Sequence, residues 1–145
     1  MAHLTAVIGA ISIATSCFAF TDSETGRVVG IISTGGGAPT VIEAPDTVRV
    51  GVAFTATVNS FGNSCTTPDG VKLTLEPARA RVIPFDRVPT EDDVVCAEIL
   101  RGLPHPVELQ FTAPGTATIV ADGMVYGPNF EQVPGTVTTA VVVLP

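Results

Sequence analysis

Residues 107–120 read VELQFTAPGTATIV, two runs of alternating polarity on either side of a Pro-Gly pair. In the first run the apolar residues Val107, Leu109 and Phe111 alternate with polar ones. A period of two is typical of a β-strand with one buried face, and Pro114-Gly115 favours a tight turn. The stretch therefore predicts two β-strands separated by a turn.

The same alternation recurs over most of the chain beyond residue 38. It is present at 54–59, 71–76 and 116–121, and the β-branched run at 135–144 suits a buried final strand. Turn-forming residues separate the runs, namely Pro68-Asp69-Gly70, Pro114-Gly115, Asp122-Gly123, Gly127-Pro128-Asn129 and Pro134-Gly135. Only 91–100 has apolar residues at a spacing that suits a helical turn. We therefore expect an all-β domain, an antiparallel β-sandwich of about seven strands.

Composition sets the broad class of the protein. The chain has 145 residues, of which 46% are hydrophobic and 14% charged. This length suits one domain with its own core, and the hydrophobic share argues against intrinsic disorder. The net charge of −7 speaks against a nucleic-acid partner, since a phosphate backbone attracts basic surfaces.

The first 20 residues contain no Asp, Glu, Lys or Arg, which suits the apolar part of an export signal. The segment Ala14-Thr15-Ser16-Cys17 resembles the end of a bacterial lipoprotein signal, after which the lipidated Cys becomes the mature N-terminus. This resemblance implies a signal segment at 1–17, lipidation of Cys17, and an exported protein in the cell envelope or outside the cell. The membrane would then be contacted only through this N-terminal anchor. A membrane span and a part of the fold are the alternatives for this segment.

Residues 18–37 are predicted to be a tether that could hold a short hairpin. The tether ends in Gly35-Gly36-Gly37, where the absence of side chains leaves the backbone unrestricted. The domain itself is predicted to span 38–145.

Two stretches of this domain carry a resemblance to a known family. Residues 43–51, EAPDTVRVG, look like the opening of bacterial immunoglobulin-like domains, and residues 107–120 are similar to their penultimate hairpin. The resemblance implies an immunoglobulin-like β-sandwich in a small exported protein. Domains of this family serve as spacers, adhesion modules and binding modules, so the fold alone does not identify a function.

The cysteines predict one covalent cross-link. Without Cys17, two of the three cysteines are left, Cys65 and Cys96. In an exported protein such an even pair favours a disulfide, with two unpaired core thiols as the alternative. No CxxC or Cys/His spacing predicts a metal site.

No pattern predicts a catalytic residue, and we expect no cofactor. His105 lies between Pro104 and Pro106, where we expect a rigid, exposed loop, and no motif supplies a nucleophile beside it. Glu91-Asp92-Asp93 could contribute oxygen ligands to Ca²⁺, but it lacks the spacing of a dedicated loop and is predicted to be a solvated acidic turn.

Arg79 and Arg81 alternate with small and apolar residues, so we expect both on one outward face of a strand. A pair of arginines could bind a carboxylate or a sugar. We favour the simpler interpretation that they pair with Glu76 or Asp86 across the sheet.

The sequence supports three functional hypotheses. The preferred one is a non-enzymatic, envelope-associated module that binds or spaces an extracytoplasmic protein or glycan, with ligand-binding residues that the sequence does not identify. The second is a self-assembling subunit in which an apolar strand, 6–13 or 28–32, completes a neighbour's sheet. The third is a small extracytoplasmic enzyme with a shallow site near His105 and the acidic cluster.

The predicted disulfide can be tested by substitution. Closing a loop of this length stabilises a domain by roughly 3–4 kcal/mol, because the cross-link reduces the entropy of the unfolded chain. We predict that Cys65→Ser lowers the melting temperature by roughly 10 °C or more in thermal unfolding. An unchanged melting temperature would contradict the disulfide and would weaken the argument for export.

Overall fold

Ten β-strands and no helix form the regular structure of the described residues, 26–33, 40–91 and 94–145, in a computed structural model. The strands are β1 (Arg27–Val29), β2 (Ile31–Ser33), β3 (Ile42–Glu43), β4 (Thr47–Arg49), β5 (Phe54–Gly62), β6 (Thr67–Glu76), β7 (Arg79–Arg87), β8 (Arg101–Leu109), β9 (Gly115–Tyr126) and β10 (Gln132–Leu144). The all-β prediction is confirmed. The described part of 91–100 has no helical turn.

The strands belong to one mixed sheet that consists of two groups. In the first group β5 pairs with β3 and β8, and in the second β9 pairs with β7 and β10. β2 joins the groups, because it pairs with β5 on one side and with β9 on the other. β1 and β6 pair with β7, and β4 pairs with β10.

The sheet differs from the predicted antiparallel arrangement of about seven strands. Three of its strand pairs are parallel, namely β2–β9, β7–β9 and β4–β10. Parallel neighbours lie far apart in sequence and need no tight turn between them, so turn signals cannot reveal them. Two of the three parallel pairs bring the short strands β2 and β4 to positions that local patterns leave open.

Both groups of strands contribute to a single hydrophobic core. Inward-facing residues of β5 and β8 pack with inward-facing residues of β7, β9 and β10, because alternate residues of a strand share one face. Burial of each large apolar side chain stabilises the fold by roughly 1.5–3 kcal/mol. The core cluster contains Ile42, Val48, Ala56, Val58, Ala80, Val82, Val107, Leu109, Phe111, Ala117, Ile119, Ala121, Val141 and Val143.

Part of the predicted tether belongs to the sheet. β1 and β2 do not form a hairpin with each other: β1 pairs with β7, and β2 pairs with β5 and β9. Ile32 of β2 is fully buried. Residues 28–32 therefore pair with strands of their own chain in this structure. The signal segment 1–17 with Cys17, the strand 6–13 and Gly35-Gly36-Gly37 lie outside the described residues.

Several predicted turns lie inside strands, although Gly127-Pro128-Asn129 is a turn between β9 and β10. Asp122-Gly123 is part of β9, where Gly123 permits the close approach of β2. A Cβ atom on Gly123 would lie 2.6 Å from Ile32 Cγ2 and 2.7 Å from the carbonyl oxygen of Gly30. The glycine therefore serves strand packing instead of chain reversal.

Arg79 and Arg81 are both exposed, as predicted, because β7 alternates between an outward and an inward face. Arg81 Nε lies 2.8 Å from Asp122 Oδ2 on the neighbouring strand β9. Asp86, which we predicted as a partner, lies on the opposite, inward face of β7 and is buried.

Candidate functional site

Three buried polar side chains meet at one end of the core. Ser60 continues the inward phase of β5 after Val58, and Asp86 continues the inward phase of β7 after Val82. His105 occupies an inward position of β8. The exposed fractions are 0% for Ser60 and 2% for Asp86 and His105. Sequence patterns did not reveal this cluster. However, buried residues alternate along β5, β7 and β8, and this alternation places all three side chains on the buried faces of their strands.

The position of His105 corrects the predicted exposed loop. β8 runs from Arg101 to Leu109, so Pro104 and Pro106 lie within a strand and face outward on either side of the buried histidine. Among the described strands β8 pairs only with β5, so it is an edge strand. Prolines are tolerated on edge strands, because their missing N–H group is not needed by a second neighbour.

The hydrogen bonds of the cluster converge on one carboxylate oxygen. The Ser60 hydroxyl donates to Asp86 Oδ1 at 2.9 Å, and His105 Nε2 lies 3.0 Å from the same oxygen. An ionised carboxylate only accepts hydrogen bonds, so with Asp86 ionised this contact requires a hydrogen on Nε2. His105 Nε2 also lies 2.9 Å from Ser60 Oγ. The three side chains thus link β5 and β8 in one group of strands to β7 in the other.

This arrangement differs from the relay of a serine hydrolase. In such a relay the histidine accepts the serine proton on one ring nitrogen and donates from the other nitrogen to the acid. Here both Ser60 and Asp86 contact the same nitrogen, Nε2, and the serine proton is directed to the carboxylate. In this geometry the three side chains bridge strands, and the Ser60 hydroxyl donates to Asp86.

Gly30, between β1 and β2, permits the backbone to pass directly over the cluster. A Cβ atom at this position would lie 2.8 Å from Ser60 Cβ and 2.9 Å from Asp86 Oδ2. Any side chain would therefore collide with the cluster. The backbone N–H of Gly30 donates to the carbonyl oxygen of Pro84 at 2.9 Å, which holds this crossing in place.

A cavity of about 520 Å³ opens beside the cluster, and Asp86 contributes to its lining. Val28, Val29 and Ile31 line it from β1 and β2, and Phe61 lines it from β5. Phe61 and Asp86 are 2% exposed and form the buried bottom. The mouth has half-exposed apolar residues that also belong to the lining, namely Ile99, Leu100 and Tyr126.

A disulfide holds one wall of this cavity. Cys65 and Cys96 are joined, with 5.6 Å between their Cα atoms, so the structure contains the predicted pairing. Residues 94–100 have no regular secondary structure. They are held by the disulfide and by hydrogen bonds with Ser64, whose hydroxyl accepts from the N–H of Ala97 at 2.7 Å and whose N–H donates to the Ala97 carbonyl at 3.2 Å. These contacts position Ile99 and Leu100 at the mouth.

The described part of the cavity lining contains two carboxylic acids. They are Asp86 at the bottom and the exposed Glu98 on the wall that the disulfide holds. Arg27 of β1 and Arg87 of β7 do not belong to the lining. Both contact Asp69 Oδ2, which lies 3.3 Å from Arg27 Nε and 3.0 Å from Arg87 Nη2.

The other candidate sites of the sequence analysis form no centre in the described part of the chain. Glu91 is exposed, and Asp92 and Asp93 lie outside the described residues. No group of three or more His, Cys, Asp or Glu residues within 26–33, 40–91 and 94–145 is placed to hold a metal ion. In the same residues no helix is long and apolar enough to cross a membrane.

Comparisons with known proteins identify no relative of the chain. No protein-family model, no curated protein and no solved structure matches it.

The cluster predicts an unequal response to two substitutions. Asp86→Ala removes the acceptor that both Ser60 and His105 use, so we expect the free energy of unfolding to fall by about 2–4 kcal/mol. Ser60→Ala leaves the His105–Asp86 contact intact and should lower the free energy of unfolding by only about 1 kcal/mol. Urea unfolding of the two variants measures both values. Equal, small losses would show that Asp86 is not the shared acceptor.

Proposed function

We propose that the protein is an exported, non-enzymatic binding domain and that its binding site is the cavity beside the disulfide. The observation that carries this proposal is the cavity itself, about 520 Å³ with a buried bottom and walls that are somewhat more apolar than polar. Small-molecule sites usually have about 300–1,000 Å³, mostly apolar walls and a few polar groups that orient the ligand. The cavity has these properties.

The nature of the walls favours a small apolar or amphiphilic molecule over a glycan. A sugar has many hydroxyl groups, and each would need a hydrogen-bonding partner when removed from water. The lining does contain polar side chains, among them Asn63, Thr66 and Gln132, but its valine, isoleucine and phenylalanine side chains cannot provide such partners. In contrast, transfer of an alkyl or aryl group from water into the cavity would lower the free energy.

The geometry of Ser60 and His105 supports a binding role over a hydrolytic one. Ser60 is fully buried and directs its proton to Asp86, so it neither meets a substrate nor transfers its proton to the histidine. A nucleophilic serine needs an adjacent base with a free nitrogen lone pair. With Asp86 ionised, His105 Nε2 is a donor towards Asp86, which leaves no base at Ser60.

The disulfide supports the proposed compartment. Disulfides persist in oxidising surroundings outside the cytoplasm and are rare inside it. Together with the uncharged N-terminal segment, the Cys65–Cys96 bond favours export, with Cys17 as the proposed lipid anchor. We further propose that the two groups of strands, which share one core, correspond to an immunoglobulin-like sandwich.

Binding to the cavity can be tested with a neutral fluorescent probe, N-phenylnaphthylamine, whose emission rises in apolar surroundings. We expect saturable binding to the wild-type protein. Leu100→Trp adds a bulky ring at the mouth of the cavity and should weaken binding by about tenfold or more. The matched control is Leu75→Trp, because Leu75 is similarly exposed on β6 but does not line the cavity. No binding to the wild type, or equal binding to both variants, would contradict the proposal.

Export and anchoring can be tested on the protein isolated from its native source. Intact mass spectrometry should show a chain that begins at Cys17 with attached lipid. Alkylation should modify Cys65 and Cys96 only after reduction, because the disulfide protects both sulfurs. A full-length chain with free thiols would contradict the proposed compartment.

A further inference from the structure

We propose that the cavity selects a positively charged amphiphile. In this arrangement an ammonium or guanidinium group donates hydrogen bonds to Asp86 at the bottom, and an alkyl or aryl body contacts the apolar walls. The inference rests on the proposed binding function and specifies the chemical class of its ligand.

The second carboxylate oxygen of Asp86 is the first support. Oδ1 contacts both Ser60 and His105, and no hydrogen bond joins Oδ2 to another described residue. Asp86 is only 2% exposed, and it contributes to the cavity lining. A hydrogen bond from a charged donor to a carboxylate is stronger than one between neutral groups. A cationic N–H group that reaches Oδ2 would add a bond of this kind.

The charge of the lining is the second support. Asp86 and Glu98 are the carboxylic acids of the lining, and no Lys, Arg or His from the described part of the chain belongs to it. Arg27 and Arg87, which lie on neighbouring strands, contact Asp69 instead. The cavity therefore attracts cations and repels anions, and the low dielectric of its walls strengthens both effects.

The distribution of apolar residues orients the ligand. The buried Phe61 lies at the bottom with Asp86, whereas Ile99 and Leu100 lie at the mouth and are 54% and 60% exposed. A ligand whose charged group reaches Asp86 would place its apolar body along Val28, Val29 and Ile31 towards the mouth. The body would then cover the exposed surfaces of Ile99 and Leu100. Removal of this apolar area from water favours binding.

A set of three probes with the same octyl chain tests the inference. Octylamine is a cation at neutral pH, octanol is neutral and octanoate is an anion, and each is measured by calorimetry below its micelle-forming concentration. We expect octylamine to bind at least about tenfold more tightly than octanol, with octanoate the weakest, since a hydrogen bond to a charged group contributes this much discrimination.

The outcomes separate this inference from the proposed function. Equal affinity for octylamine and octanol, or tighter binding of octanoate, would overturn the selection for cations and leave the binding function in place. Absence of binding by all three probes would overturn both.

Substitution of Asp86 and Glu98 tests whether these two acids cause the preference for octylamine. Glu98→Gln removes an exposed charge from the wall and should weaken octylamine several-fold without changing the affinity for octanol. Asp86→Asn keeps an oxygen acceptor for Ser60 and His105 and places an NH₂ donor where Oδ2 was, so it should remove the preference for octylamine. The control is Glu108→Gln, because Glu108 is exposed on β8 outside the cavity.

The folding of Asp86→Asn is checked by circular dichroism, and Glu98→Gln keeps the inference testable if that variant does not fold. Loss of octylamine binding in Glu108→Gln equal to that in Glu98→Gln would show a general charge effect and would contradict the site. An unchanged preference for octylamine in both Glu98→Gln and a folded Asp86→Asn would also contradict it.

Discussion

The burial of the Asp86 carboxylate constrains the end of the molecule at which the cavity lies. A carboxylate at 2% exposure is stable only where donors replace water, and Ser60 and His105 supply two of them from β5 and β8. Because Asp86 belongs to β7, these bonds connect the two groups of strands at a place where the core is no longer apolar. Gly30 must lack a side chain for the same reason, since any Cβ atom would collide with the cluster.

The disulfide and the cluster have complementary roles at this end of the fold. The cluster holds strands together at the bottom of the cavity, whereas the Cys65–Cys96 bond holds an irregular segment that the strand ladder does not reach. Hydrogen bonds between Ser64 and Ala97 add to the covalent link. A wall that is fixed before a ligand arrives does not have to be ordered on binding, which favours affinity.

Particular residues show how far sequence patterns reach. The alternation at 107–120 correctly indicates buried Val107, Leu109 and Phe111, because strand periodicity is a local property. The Pro-His-Pro segment misled the analysis, since two prolines suggest a loop but are also compatible with an edge strand. Asp122-Gly123 misled it for another reason: the glycine is required by the contact with Ile32, which is distant in the chain.

The sequence by itself determined the all-β class, most of the strands beyond residue 38 and the cysteine pair, because alternation, turn residues and cysteine number are read along the chain. Only the tertiary structure decided the parallel strand pairs, the role of residues 27–33, the polar cluster and the cavity. Ser60 and Asp86 are 26 residues apart, and Ser60 and His105 are 45 apart. Contacts over such distances depend on which strands become neighbours, and strand periodicity, which is local, does not specify that choice.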